Sequence, residues 1–141
     1  MKKSFICFSL AFTLFFGSAT FALASDILII ANKGVSESSL SKDQLQRIFL
    51  GKMSRWENGD RVYFCLLKNE LLDEFTQDYL GQNSSNFVRY WKKEVFTGKG
   101  SMPPFYEKDE DLIQYVSQKK GAIGFVSSGA NTDSVKVISV K

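Results

Sequence analysis

Hydrophobic positions along the chain fall into two patterns: short unbroken blocks, and longer stretches that repeat every three or four residues. Ile27 to Ala31 is an unbroken block of β-branched and aliphatic residues between Asp26 and Asn32. That pattern suits a strand buried on both faces, as in parallel sheets. Asn32 to Ser39 is polar and contains glycine, which reads as a loop. A helix start follows: Ser41 is placed to cap, Gln44 completes a capping box, and Leu40 and Leu45 occupy the staple positions. Leu45, Ile48 and Phe49 share one face, and Gly51 reads as the C-terminal stop. Lys52 to Gly59 is a loop carrying Trp56.

Val62 to Leu67 predicts a second buried strand. Asn69 opens a helix in which Leu71, Leu72, Phe75 and Tyr79 recur at helical spacing up to Gly81. Ser84 or Ser85 caps a third helix, with Phe87, Val88, Trp91 and Val95 on one side and Arg89, Lys92 and Lys93 elsewhere. Gly98 to Pro104 is rich in turn formers. Asp109, Glu110 and Asp111 then stand at the front of a fourth helix and Lys119 and Lys120 at its back, where each sign complements the dipole. Ala122 to Val126 and Val135 to Val140 predict the last two strands. This order points to an α/β domain with helices packed on a mainly parallel sheet.

The first 24 residues follow a different logic. Met1-Lys2-Lys3 precedes an apolar run from Phe5 to Phe16, and Ala22-Leu23-Ala24 closes it. A basic start, a short apolar stretch and a small-x-small site form a secretory signal peptide. Cleavage is expected after Ala24, which leaves no lasting membrane anchor and an exported, periplasmic or secreted product. Cys7 lies inside the apolar run, so lipid attachment is not indicated. The segment takes six of the 13 Phe with it. The domain over 25–141 has 16 basic and 15 acidic residues and a single cysteine, Cys65.

That balance excludes several classes of function. A near-neutral domain lacks the basic excess of a nucleic-acid binder. There is no histidine, which removes His-dependent catalysis and zinc sites built on imidazole. One thiol closes no loop within the chain. Thr97-Gly98-Lys99-Gly100-Ser101 lacks the glycine and hydroxyl spacing of a nucleotide loop, and reads as a flexible turn offering a cation and backbone N–H groups to a small anion. Glu107, Asp109 and Asp111 alternate like calcium ligands, but Leu112 and Gln118 stand where glycine and glutamate are needed. Cys65 sits in an apolar strand without a base partner, as a structural cysteine does. No metal, cofactor or catalytic residue is expected.

Two segments carry a resemblance. Leu40-Ser41-Lys42-Asp43-Gln44-Leu45-Gln46-Arg47-Ile48-Phe49-Leu50-Gly51-Lys52-Met53-Ser54-Arg55-Trp56 resembles the L-T-x-x-Q-L-x-x-I-F-x-G-K-I-T-x-W segment of the phosphate-binding proteins of ABC transporters. Gly121-Ala122-Ile123-Gly124-Phe125-Val126 resembles their G-A-I-G-Y-V strand. The resemblance implies a single periplasmic-binding-protein-like lobe of type II that binds a solute, phosphate or another small anion, rather than transforming it. The family's R-x-x-x-S-G-T-x-x-x-F phosphate motif, set with its last residue on Phe75, puts Cys65 at the arginine and Asn69-Glu70-Leu71 at Ser-Gly-Thr. The candidate ligand groups are therefore Lys68 and Asn69 at one turn and Thr97 and Lys99 at another. A second expectation is an envelope interaction or sensory module that has lost phosphate binding and docks on a protein partner.

Overall fold

Ile27–Ala31 (β1) forms the middle of a five-stranded sheet, flanked by strands from the other end of the chain. The computed structural model describes residues 26–141, so the segment read as a signal peptide lies outside the described residues. In chain order the strands are β1, β2 (Ser39–Leu40), β3 (Tyr63–Phe64), β4 (Leu66–Leu67), β5 (Phe105–Tyr106), β6 (Ala122–Ser127) and β7 (Lys136–Val140). The helices are α1 (Lys42–Phe49), α2 (Glu70–Phe75), α3 (Ser84–Phe96) and α4 (Asp109–Gln118).

The large sheet runs β2-β7-β1-β6-β3, and β4 pairs with β5 alone. The α/β layout is the expected one, and the sheet is mixed. β1 runs antiparallel to β6, from Ile27 opposite Ser127 to Ala31 opposite Ile123, and antiparallel to β7. β2–β7, β3–β6 and β4–β5 are parallel. The physical reason is that an unbroken apolar block reports burial, not direction. Ile29, Ile30 and Ala31 are all buried, and alternate side chains point to opposite faces.

Val62 to Leu67, expected as one strand, is divided at Cys65. β3 pairs with β6, the Cys65 N–H donates to the Ile123 carbonyl at 3.0 Å, and β4 then pairs with β5. β5 falls just after Pro103-Pro104 and β2 in the lead-in to α1, too short to carry a periodic signal.

Local chemistry sets the helix ends. Ser41 and Gln44 form the capping box of α1, and Gly51 ends it at φ +73°. Asn69 caps α2, which continues through a π-helical turn over Thr76–Leu80 to Gly81 at φ +66°. α3 is capped by Asn83 rather than Ser84 or Ser85: its Oδ1 accepts the Asn86 N–H at 2.8 Å. The Ser84 N–H goes instead to Asp73 Oδ1 at 3.0 Å.

The core gathers where helices close on β6. Phe75 stacks on Phe125 with ring centroids 4.1 Å apart, and Phe49 meets Phe75 edge-on at 4.7 Å. Gly124 lets Leu112 of α4 and Cys65 approach the strand; a Cβ there would stand 2.8 and 2.9 Å from them. Phe87 and Trp91 are buried as the helical pattern of α3 implies, while Val95 is 42% exposed.

Candidate functional site

β3 runs parallel to β6 and continues through Cys65 into β4, which runs parallel to β5, so β4, β5 and β6 end toward one edge, the usual ligand edge of an open α/β sheet. β4 ends there at Lys68, whose N–H donates to the Tyr106 carbonyl at 2.8 Å. The next residue, Asn69, spends its side-chain oxygen on the Leu71 N–H at 2.9 Å, and Glu70 lies in the first turn of α2. β6 ends there at Ser127, where Asp109 of α4 accepts both the backbone N–H, at 3.2 Å, and the hydroxyl.

Helix N-termini are favourable anion sites because their N–H groups lack partners and their dipoles favour negative charge. Among the described residues three of the four ends already have side-chain caps, and α4 has acids in its first turn but no cap. Ser41 serves α1, Asn69 serves α2, and Asn83 with the Asp73 carboxylate serves α3. Asp109, Glu110 and Asp111 fill the first turn of α4. Cys65, at the position the resemblance gives to arginine, is fully buried with its Sγ 3.5 Å from the Ile123 carbonyl. Burial pushes the thiol far above its ordinary range and keeps it protonated.

Thr97 and Lys99 are at the other end of the β4–β5 pair. The loop that holds them leads into β5 through Pro104, whose carbonyl accepts the Leu66 N–H at the start of β4. The Thr97 hydroxyl donates to the Lys93 carbonyl at 2.8 Å. The N–H groups of Thr97, Gly98 and Lys99 return to the carbonyls of Lys93, Val95 and Glu94. These three bonds complete a helix C-terminus with Gly98 at φ +73°. The turn therefore offers the Lys99 side chain, and three of its N–H groups are already spent on the helix. The two candidate pairs, Lys68 with Asn69 and Thr97 with Lys99, are not brought together.

Lys99 does enter a cleft. It lines a hollow of about 400 Å³ with Arg61, Tyr63, Phe64, Trp91 and Tyr115 among others. A second hollow, of about 290 Å³, shares Arg61 and Tyr63 and adds Asp60, Lys119 and Lys120. The Lys119 Nζ stands 4.3 Å from the Tyr63 ring centroid and the Arg61 Cζ 6.0 Å from it, within cation–π range. Lys120 pairs with Asp60 at 3.3 Å, which leaves Arg61, Lys99 and Lys119 as the surplus charge. Burial raises the Tyr115 phenol above its ordinary range, and Cys65, Tyr106 and Tyr63 add in the same sense. Tyr115 is thus a hydrogen-bond donor at neutral pH. A guanidinium, two ammonium groups and aromatic walls suit retention of a small anion.

Arg61 and Lys119 were not singled out in the sequence. The pair Lys119-Lys120 reads locally as a helix end, and only the β3–β6 pairing, Tyr63 opposite Ala122, carries it to Arg61.

The mixed sheet, its flanking helices and a parallel strand edge make up a single α/β lobe. Three solved structures share this fold. A phosphate transport receptor of the ABC type from Vibrio cholerae matches 82% of this chain at 18% identity and TM-score 0.56. A protein from Clostridium perfringens, described as a phosphate ABC transporter substrate-binding protein and solved with bound phosphate, matches 82% at 17% identity and TM-score 0.62. One from Planctomyces limnophilus, described as a phosphate binding protein, matches 82% at 17% identity and TM-score 0.61. The chain spans 46%, 44% and 41% of those three chains, less than half of each. No protein-family model and no curated protein matches the sequence. The chain shares its fold with part of each of these proteins, as the resemblance of the Leu40–Trp56 and Gly121–Val126 segments implies. Among the described residues no helix is long and apolar enough to cross a membrane.

Proposed function

We propose that the protein is an exported solute-binding module, processed after Ala24 and held in the periplasm, whose ligand is phosphate or another small anion. The ligand site is the pair of adjoining hollows that share Arg61 and Tyr63, one with Lys99 and the other with Lys119. One observation carries this reading: Arg61 and Lys119 flank the Tyr63 ring and Lys99 lines the adjoining hollow, on a lobe that shares its fold with phosphate receptors. The module binds its anion and leaves it chemically unchanged.

One continuous hydrophobic core runs through residues 26–141, which supports testing residues 25–141 as a unit. Calorimetric titration of residues 25–141 with phosphate, beside sulfate at fixed salt, tests the proposal. We expect saturable heat with phosphate, weakened roughly tenfold or more in Arg61→Gln, since a lost charge-assisted hydrogen bond is worth about 1.5–3 kcal/mol. Absence of heat with both anions overturns the reading. Loss of binding in Lys68→Gln, with Arg61→Gln unaffected, moves the ligand to the carboxyl-end edge and overturns the placement.

A second reading is favoured by the occupied helix N-termini and by Cys65. Here the fold serves as an envelope interaction or sensory module without a small ligand. A flat titration together with an envelope protein that co-purifies with the chain supports it.

A further inference from the structure

Phe96 closes α3 with 92% of its surface exposed, an anomaly for a large apolar side chain. Its setting is built rather than loose, because the three backbone bonds from Thr97, Gly98 and Lys99 fix the end of the helix. Arg89, Lys92, Lys93 and Phe96 recur at spacings of three and four residues, so they share one face. All four are exposed, on the side away from the buried Phe87 and Trp91. The one acid of α3, Glu94, lies on another face. Val95 adds exposed apolar surface at 42%. Beside this face runs a groove of about 510 Å³ between α2 and α3, with Leu72 and Val88 in its floor and Arg89 and Lys92 on its rim.

We infer that this face of α3 docks the protein on an anionic phospholipid surface. The partner must be negative, because three cations face it without an acid. It must also accept an aromatic ring without a shaped pocket. A bilayer surface meets both conditions: lipid phosphates take the cations, and the acyl boundary takes Phe96, as for an interfacial amphipathic helix. A protein partner would have to bring both acids for three cations and a shaped recess for the ring, whereas a bilayer surface supplies both without shape matching. The association is peripheral and reversible, and it leaves the Arg61–Lys99 cleft outside the contact.

Co-sedimentation of residues 25–141 with phosphatidylglycerol–phosphatidylcholine vesicles, against pure phosphatidylcholine, tests the inference. We expect binding to the anionic vesicles only, lost as salt rises from about 0.1 M to about 1 M and the Debye length falls from roughly 10 to 3 Å. Each lysine near the surface contributes roughly fivefold, so Lys92→Gln with Lys93→Gln lowers affinity roughly 25-fold. Phe96→Ser lowers it roughly tenfold through lost apolar burial. Phe96→Trp supplies an optical readout, because Trp56 and Trp91 are 3% and 6% exposed and the added indole is the accessible one. Its emission shifts to the blue on anionic vesicles.

These positions lie outside the residues lining the cleft, so the variants keep any anion binding and the two ideas fail separately. No sedimentation with anionic vesicles at low salt overturns the inference. So does sedimentation that Phe96→Ser and the double lysine variant leave unchanged. Displacement by soluble glycerol phosphate would mean the face reads a single phosphate, and self-association lost in Phe96→Ser would mean it is a protein interface. Either result also overturns it.

Discussion

The indole of Trp91 fills the space that a side chain on Gly51 would need: a Cβ there would stand 2.8 Å from the ring's Cη2. The same indole donates its Nε1–H to the Phe49 carbonyl at 3.0 Å, and the Tyr90 hydroxyl donates to the Leu50 carbonyl at 2.8 Å. The last carbonyls of a helix lack partners within it, so α3 completes the hydrogen bonding of α1. Gly51→Ala adds left-handed strain, about 1–2 kcal/mol for a residue with a Cβ, and overpacking of about 1–3 kcal/mol. We expect a stability loss of about 2–4 kcal/mol in urea denaturation. A loss below about 1 kcal/mol would mean that Trp91 gives way freely.

Cys65 makes stability depend on pH. Unfolded, the thiol ionises near pH 8.5, whereas burial in the folded chain holds the proton to much higher pH. The folded state therefore keeps a proton that the unfolded state gives up. The contribution is complete below about pH 8.5 and declines above it by up to about 1.4 kcal/mol per pH unit. Cys65→Ser flattens the slope between about pH 8.5 and 9.5, before free tyrosines ionise near pH 10. Urea melts across that window check it, and an unchanged slope in the variant assigns the effect to other groups.

The Gly121 carbonyl accepts from both the Trp56 Nε1–H, at 2.9 Å, and the Tyr63 N–H, at 3.1 Å. Trp56→Phe leaves that oxygen paired with Tyr63, so the lost bond costs about 1 kcal/mol before any packing change. Gly121→Ala is far worse, since its Cβ would stand 2.0 Å from the Arg61 carbonyl at φ +80°. Thermal melts should rank wild type above Trp56→Phe and that variant above Gly121→Ala. The reverse order would show that the backbone around Arg61 yields easily.

Asp109 joins the start of α4 to the end of β6 through Ser127. Asp109→Ala leaves the Ser127 N–H without its partner, at a cost of about 1–3 kcal/mol. Asp109→Asn keeps an acceptor oxygen and is expected to lose less. Hydrogen exchange at the Ser127 amide gives a local readout: faster in Asp109→Ala, intermediate in Asp109→Asn.

The features legible in the sequence are those whose partners lie within a few residues. The capping box of Ser41 with Gln44, the stops at Gly51 and Gly81, and the buried face of Leu45, Ile48 and Phe49 are local, and all are present. Direction and register are not local, so the antiparallel pairing of β1 and the break at Cys65 leave no trace in an apolar pattern. Asn83 displaced the expected Ser84 or Ser85 cap because Asp73, eleven residues earlier, takes the Ser84 N–H. The same limit governs the site. Lys68, Asn69, Thr97 and Lys99 stand out through local turn chemistry, much of which serves helix ends, while Arg61 and Lys119 meet through strand pairing across some sixty residues.

The central strand has a consequence for how the molecule comes into being. Among the described residues β1 is the first element, and both of its neighbours, β6 and β7, are the last two. Its backbone bonds therefore wait for strands about a hundred residues away, and contacts of such long sequence separation form slowly. Until both are in place the middle of the sheet stays open, and removal of β7 alone would turn β1 into an exposed edge with unpaired backbone groups.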